Sequence, residues 1–336
     1  MRRLSLIAGL AAALVAAAVL GSTAGAARQD SKISIVAYST PQPAFAQLIT
    51  AFNATAAGKG VSFSQSYGAS GTQALAVING LHADILDLSL APDMQLLVDN
   101  KMVAKNWANN KYHGFVTKSV VAFVVRPGNP KHIRTWSDLV KPGISVVTPN
   151  PFTSGGARWN VMAGYGAMLR EGKTKAQAVA YLKNLFQNHI ASLDSSARNA
   201  TNSFAAGRGD VLITYENEAL YANSKGVRED YYIPKATLEI DNPLAITTKP
   251  SDPLATKAFY NFLYTPQAQK IWGQNGYRPV VKSVENANRK KFPIRPGLFT
   301  IDQLGLGGWD KVQTRFFDPD KGIMARIERQ VGGVAG

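Results

Sequence analysis

The 336-residue chain contains no cysteine. Disulfides, thiolate nucleophiles and cysteine-based metal sites are therefore excluded, and so is a lipid anchor built on a cysteine at the cleavage point. Histidine is scarce as well. His82, His113, His132 and His189 are the only four, and none stands in a metal-ligand spacing such as His-x-x-x-His. Acidic residues are outnumbered, 22 against 37 Lys and Arg. Beyond Leu20 no apolar run is long enough to cross a bilayer. Low-complexity segments and long internal repeats are missing too, which leaves an ordinary globular chain.

What is present begins with Met1-Arg2-Arg3 and an almost wholly apolar run from Leu4 to Leu20. Ala24-Gly25-Ala26 follows with the small-residue pattern of a cleavage site, so residues 1–26 read as a signal peptide and the mature chain starts near Ala27. Export without a lipid anchor predicts a periplasmic protein. The formal charge of +15 becomes +13 when the two positive charges of Arg2 and Arg3 leave. Such a surplus attracts anions of any size. Nucleic acid is not the expected partner, because the chain is exported and carries no basic-aromatic interleaving. The length suffices for two lobes, each with its own core.

Strands and helices alternate along the mature chain. Ile33 to Tyr38 reads as a strand that stops at Ser39-Thr40-Pro41, before a helix with Phe45, Leu48, Ile49 and Phe52 on its buried stripe. Val61 to Tyr67 is a second strand, leading through Gly68-Ala69-Ser70-Gly71 to a helix marked by Leu75 and Ile78. Asp84 to Leu90 is a third. Gly143 to Thr148 runs into Asn150-Pro151-Phe152-Thr153-Ser154-Gly155-Gly156, and a helix through Leu169 follows. Ile190 to Asp194 meets another polar turn around Ala197. Val211 to Tyr215 is a core strand ending at Glu216-Asn217-Glu218, and Lys282 to Phe292 reads as a helix. The pattern predicts an α/β fold with mostly parallel sheets and loops gathered at the strand C-terminal ends. The expected layout is lobe 1 over 27–119, lobe 2 over 120–240, a return to lobe 1 over 241–330, and a flexible tail over 331–336.

The turns at Ser39, Ser70, Ser154 and Ala197 repeat one construction. Each places unpaired backbone N–H groups and the positive end of a helix dipole at a strand end, which favours an anion. Ser154 stands at an N-cap position, and Gly155 and Gly156 leave the first-turn amides unshielded. Catalysis has weaker support. Gly68-Ala69-Ser70-Gly71-Thr72 brings its second glycine one place too early for a nucleophile elbow. Glu216 and Glu218, as i, i+2 neighbours, face different ways in a strand or a helix. Glu216 is the only carboxylate that these turns set beside the candidate site. A secreted hydrolase using Ser70 or Ser154 stays open as the alternative of another class.

Three stretches carry a specific resemblance: Gly68-Ala69-Ser70-Gly71, the run from Thr148 to Asn160, and Gly209-Asp210-Val211-Leu212-Ile213-Thr214-Tyr215-Glu216-Asn217-Glu218-Ala219. They resemble the periplasmic sulfate/thiosulfate-binding protein family, and the similarity spans roughly Ile33 to Trp309. The resemblance implies a two-lobed type II periplasmic binding protein, α/β, with the ligand in the interlobe cleft. It implies a monomer that hands sulfate or thiosulfate to the membrane permease subunits of an ABC importer, with no catalytic residue, cofactor or metal. Ligand donors would be the amides of Ser39, Ser70, Gly155, Gly156 and Ala197 and the Ser154 hydroxyl. Tyr215 stands where the family usually has tryptophan, which replaces an indole N–H by a phenol that can also accept. Ser39 stands where an acidic residue is usual. Phosphate, molybdate or another oxyanion therefore remains an alternative ligand.

Overall fold

The computed structural model describes residues 31–224 and 230–330. The expected signal peptide and the 331–336 tail lie outside these residues. The first bank of elements is β1 (Lys32–Tyr38), α1 (Gln42–Asn53), β2 (Ser62–Gly68), α2 (Ser70–Ile78), β3 (Ile85–Asp87) and α3 (Ala91–Asp99). Then come β4 (Phe115–Val125), β5 (Val146–Pro149), α4 (Gly155–Arg170), α5 (Lys175–Asn188), β6 (Ile190–Asp194), α6 (Ala197–Ala205), β7 (Val211–Tyr215), α7 (Glu216–Ser224) and β8 (Asp230–Tyr232). The chain continues with β9 (Thr237–Ile246), α8 (Pro253–Leu263), α9 (Pro266–Gln274), β10 (Arg278–Pro279), α10 (Lys282–Ala287), β11 (Leu298–Phe299), α11 (Gly308–Phe317) and α12 (Ile323–Gln330).

The main strand path runs β2-β1-β3-β9-β4-β7-β5-β6. Its two ends are parallel: β1 with β2 and β3, and β5 with β6 and β7. Between them β9 runs antiparallel to both β3 and β4, and β4 antiparallel to β7. The result is two mostly parallel α/β lobes joined through two long strands. β4 pairs with β9 as far as Val120 and with β7 from Val121 onward.

Strand periodicity explains the layering. Ile33, Ile35 and Ala37 of β1 pack with Phe45, Leu48 and Phe52 of α1 in the main core. Val36 points the other way, to a second core with Ala74 and Val77 of α2 and Met94 and Leu97 of α3. Helices thus cover both faces, as parallel strands require.

Three expectations need correction. Leu75 is 52% exposed, and α2 instead buries Gln73, Ala74 and Val77. Ala74 and Val77 face Met94 and Leu97 of α3, and Leu75 lies off that face. The third strand, expected over Asp84 to Leu90, covers only Ile85–Asp87, because the chain turns there toward α3. The helix expected to reach Phe292 stops at Ala287. Helices α3, α11 and α12 escaped the sequence reading. The last two close the core of the second lobe, with Phe316 of α11 edge-on to Tyr165 of α4 at 4.9 Å.

Candidate functional site

Strand ends build the site. β1 ends one residue before Ser39, β2 two before Ser70, and β7 ends on Tyr215. Ser154 follows β5, and Ala197 opens α6 after β6. The fold brings all seven expected residues into one cluster. A Cβ on Gly156 would lie 3.4 Å from Ala197 Cβ, 3.4 Å from Ser154 Oγ and 3.6 Å from Tyr215 Cε1. The Arg198 amide, next after Ala197, donates to Ser39 Oγ at 3.3 Å.

Ser154 decides between a cap and a ligand donor. It is the N-cap residue of α4, extended at φ −105° and ψ 120°, and only 3% exposed, yet its side chain makes no capping hydrogen bond. Thr174, Ser196, Asp252 and Thr265 all cap their helices by accepting a backbone N–H. A buried hydroxyl that declines the local amide is directed elsewhere. Gly155 and Gly156 then present the first turn bare. Glycine is required at 155, where a Cβ would come within 2.3 Å of Leu90 Cδ2 and 2.7 Å of Ser89 Oγ.

Ser89 is the residue the sequence reading missed. It lies two positions beyond β3, at a strand C-terminal end like the others, and that position was the available signal. Its amide donates to Ser70 Oγ at 3.0 Å, and its hydroxyl meets the Tyr215 hydroxyl at 2.6 Å. Its carbonyl accepts from Trp159 Nε1 at 2.9 Å and Asn242 Nδ2 at 3.2 Å. Ser89 therefore ties β3 to α2, α4, β7 and β9. Burial raises the Tyr215 hydroxyl far above its ordinary pKa, so it is a neutral donor and acceptor at any physiological pH.

The charges around the cluster are already paired. Arg198 holds Glu218 through Nε at 3.0 Å and Nη2 at 2.8 Å. Arg278 grips Glu216 at 2.8 and 3.2 Å, which turns that carboxylate away from the site. Arg158 reaches Asp93 at 3.1 Å. Burial raises the Asp93 carboxyl, while Arg158 and the Ser70 hydroxyl pull it down. Glu216 is thus not the only carboxylate beside the cluster: Asp93 meets the Ser70 hydroxyl, and Asp87 ends β3 two residues before Ser89. With each arginine neutralised, amide dipoles and hydroxyls are left to meet an anion.

Hydrolytic and metal chemistry find little footing. His82 Nε2 contacts both Ser251 Oγ at 2.7 Å and Asp84 Oδ1 at 3.1 Å. A proton relay needs one ring nitrogen for each partner, and this trio uses the same nitrogen twice, at the far end of β3. Among the described residues no group of three His, Cys, Asp or Glu is placed to hold a metal ion.

The family profile of bacterial extracellular solute-binding proteins matches residues 33–278. A sulfate-binding protein of Synechococcus elongatus is 38% identical, over 93% of this chain and 91% of that protein. The chain belongs to the sulfate/thiosulfate-binding protein family. A thiosulfate-binding protein of Pseudomonas aeruginosa is 33% identical over 78% of this chain and 81% of its own length. The solved structure of the sulfate-binding protein SubI from Mycobacterium tuberculosis superposes with a TM-score of 0.83 at 42% identity, over 86% of this chain and all of that one.

Proposed function

We propose that this protein is a periplasmic receptor that captures sulfate, with thiosulfate as the second ligand, and delivers it to the permease subunits of an ABC importer. The observation that carries the reading is Ser154: a buried hydroxyl, free of its own helix, at the head of a Gly-Gly helix start and within reach of Ala197 and Tyr215. The donors to the anion are the amides of Ser39, Ser70, Gly155, Gly156 and Ala197, the Ser154 hydroxyl and the Tyr215 hydroxyl. Each hydrogen bond to a charged group contributes roughly 1.5–3 kcal/mol and each helix terminus up to about 1 kcal/mol. A few such terms exceed the ~8 kcal/mol of micromolar binding after ordering costs.

The mechanism follows from where the donors sit. Ser39 and Ser70 belong to one lobe, and Ser154 to Ala197 and Tyr215 to the other. Lobe 1 comprises 27–119 and the returning segment through α8, α9 and α10, and lobe 2 comprises 120–240 closed by α11 and α12, with β4 and β9 as the hinge. An anion that draws donors from both lobes favours the closed arrangement in which Ser89 meets Tyr215 and Trp159, and Arg158 meets Asp93. The protein works as a monomer, uses no cofactor and catalyses no reaction. Among the described residues no helix is long and apolar enough to cross a membrane.

Calorimetric titration with sulfate, thiosulfate, molybdate and phosphate tests this reading. Sulfate should bind at micromolar affinity or better, and chromogenic esters and phosphoesters should show no turnover. Phosphate binding in preference to sulfate, or ester hydrolysis lost in Ser154→Ala, would overturn it.

A further inference from the structure

Asp87 closes β3, two residues before Ser89, at the strand end that faces the candidate site. It is 1% exposed, and its Oδ1 has no hydrogen-bond partner among the described residues. In the sheet it lies in register with Ala37 of β1, two residues before Ser39, and with Leu244 of β9. The groups that face it are hydroxyls. Tyr38 at the end of β1, Tyr67 on β2, Tyr215 on β7 and Tyr264 after α8 are all raised, by burial first and in part by the nearby Asp87 carboxyl. Tyr277 stands behind Tyr38, bonded to Thr40 at 2.9 Å. No lysine, arginine or histidine among the described residues acts on Asp87; burial alone pushes its carboxyl well above the usual range. The nearby arginines are committed elsewhere: Arg158 to Asp93 and Arg198 to Glu218.

We infer that Asp87 is a neutral carboxylic acid in the folded protein and that its proton is required for anion binding, which makes it an affinity-determining residue that need not touch the ligand. An ionised carboxylate without a cation cannot be sustained in such a place, so the group keeps its proton instead. A dianion among the helix starts would add a second negative charge in the same poorly screened interior. The two negative charges exclude one another, so binding and ionisation of Asp87 are linked. Above the point where the ligand-free protein begins to lose this proton, each unit of pH should weaken the dianion by up to tenfold, and each binding event should take up a proton.

The inference rests on the oxyanion reading above. Its test is sulfate titration of the full mature chain from about pH 6 to about pH 10, in buffers of different ionisation enthalpy. The wild type should bind evenly through neutral pH, weaken on the alkaline side, and take up protons there. Asp87→Asn should match the wild type within about threefold at pH 7, lose the alkaline weakening, and bind without proton uptake. Difference infrared spectra should show the carbonyl band of a protonated acid in the wild type that disappears in Asp87→Asn and in Asp87→Thr. Loss of the acid band on the alkaline side with sulfate affinity unchanged, an identical alkaline loss in Asp87→Asn, or absence of the acid band at pH 7 would each overturn the inference while leaving the receptor reading intact. Failure to bind sulfate at any pH would instead remove that reading itself.

Discussion

Ser154→Ala separates a donor from a cap at a single residue. Removing a hydrogen bond to a charged ligand should weaken sulfate by roughly 1.5–3 kcal/mol, about ten- to hundredfold by titration. The melting temperature should hardly move, because the hydroxyl caps nothing. Equal affinity in the variant would return Ser154 to a purely structural role. Gly155→Ala probes the same turn by size. The added methyl would lie within 2.7 Å of Ser89 Oγ and closer still to Leu90, so one lobe could no longer close on the other. Binding should fall by at least tenfold while circular dichroism stays unchanged; undiminished binding would show that closure does not depend on this contact.

Among the elements, those that read clearly from sequence were those with strong local signals. β1, α1, β5, α4 and β7 combine β-branched or 3.6-spaced apolar residues with Gly, Pro or Ser at their ends, and their boundaries fell within a few residues. The candidate cluster was legible for the same reason, since each of its turns follows a strand end. Ser89 was hidden by reading the third strand on to Leu90, past its true end at Asp87, and Asp87 because an unpaired acid leaves no local pattern; only the pairing of β3 with β1 and β9 gives it its surroundings. α11 and α12 were missed because their apolar faces are defined by α4 and α5, far away in sequence. α12 carries its own test. Neither Glu328 oxygen has a hydrogen-bond partner among the described residues, and burial raises the carboxyl to about 7. Its folded pKa lies above the unfolded value near 4.3, so stability is full at acid pH and declines as pH rises between those two values. Glu328→Gln should therefore raise the melting temperature at about pH 8 and leave it unchanged at about pH 4. A variant less stable at both would mean that Glu328 is satisfied in the folded chain.

At the scale of the whole molecule, the protein is a receptor whose donors carry almost no net charge. Its surplus of positive charge attracts anions without choosing among them. Choice comes from protonation. Sulfate has no proton near neutral pH and suits a site of donors, whereas phosphate keeps one and needs an acceptor aimed at it. Glu216 is held by Arg278 and Asp93 by Arg158, and a protonated Asp87 is a poor acceptor. Sulfate affinity should accordingly stay nearly flat between about pH 5 and 8, where no group of the cluster has to titrate. A bell-shaped profile in that range would reveal a titrating ligand contact.

The most direct measurement is a calorimetric titration of the mature chain with sulfate at about pH 7, repeated in a large excess of phosphate. One sulfate should bind per chain, at micromolar affinity or better, with the same binding curve in both experiments. Absence of sulfate binding, or displacement of sulfate by phosphate, would contradict it.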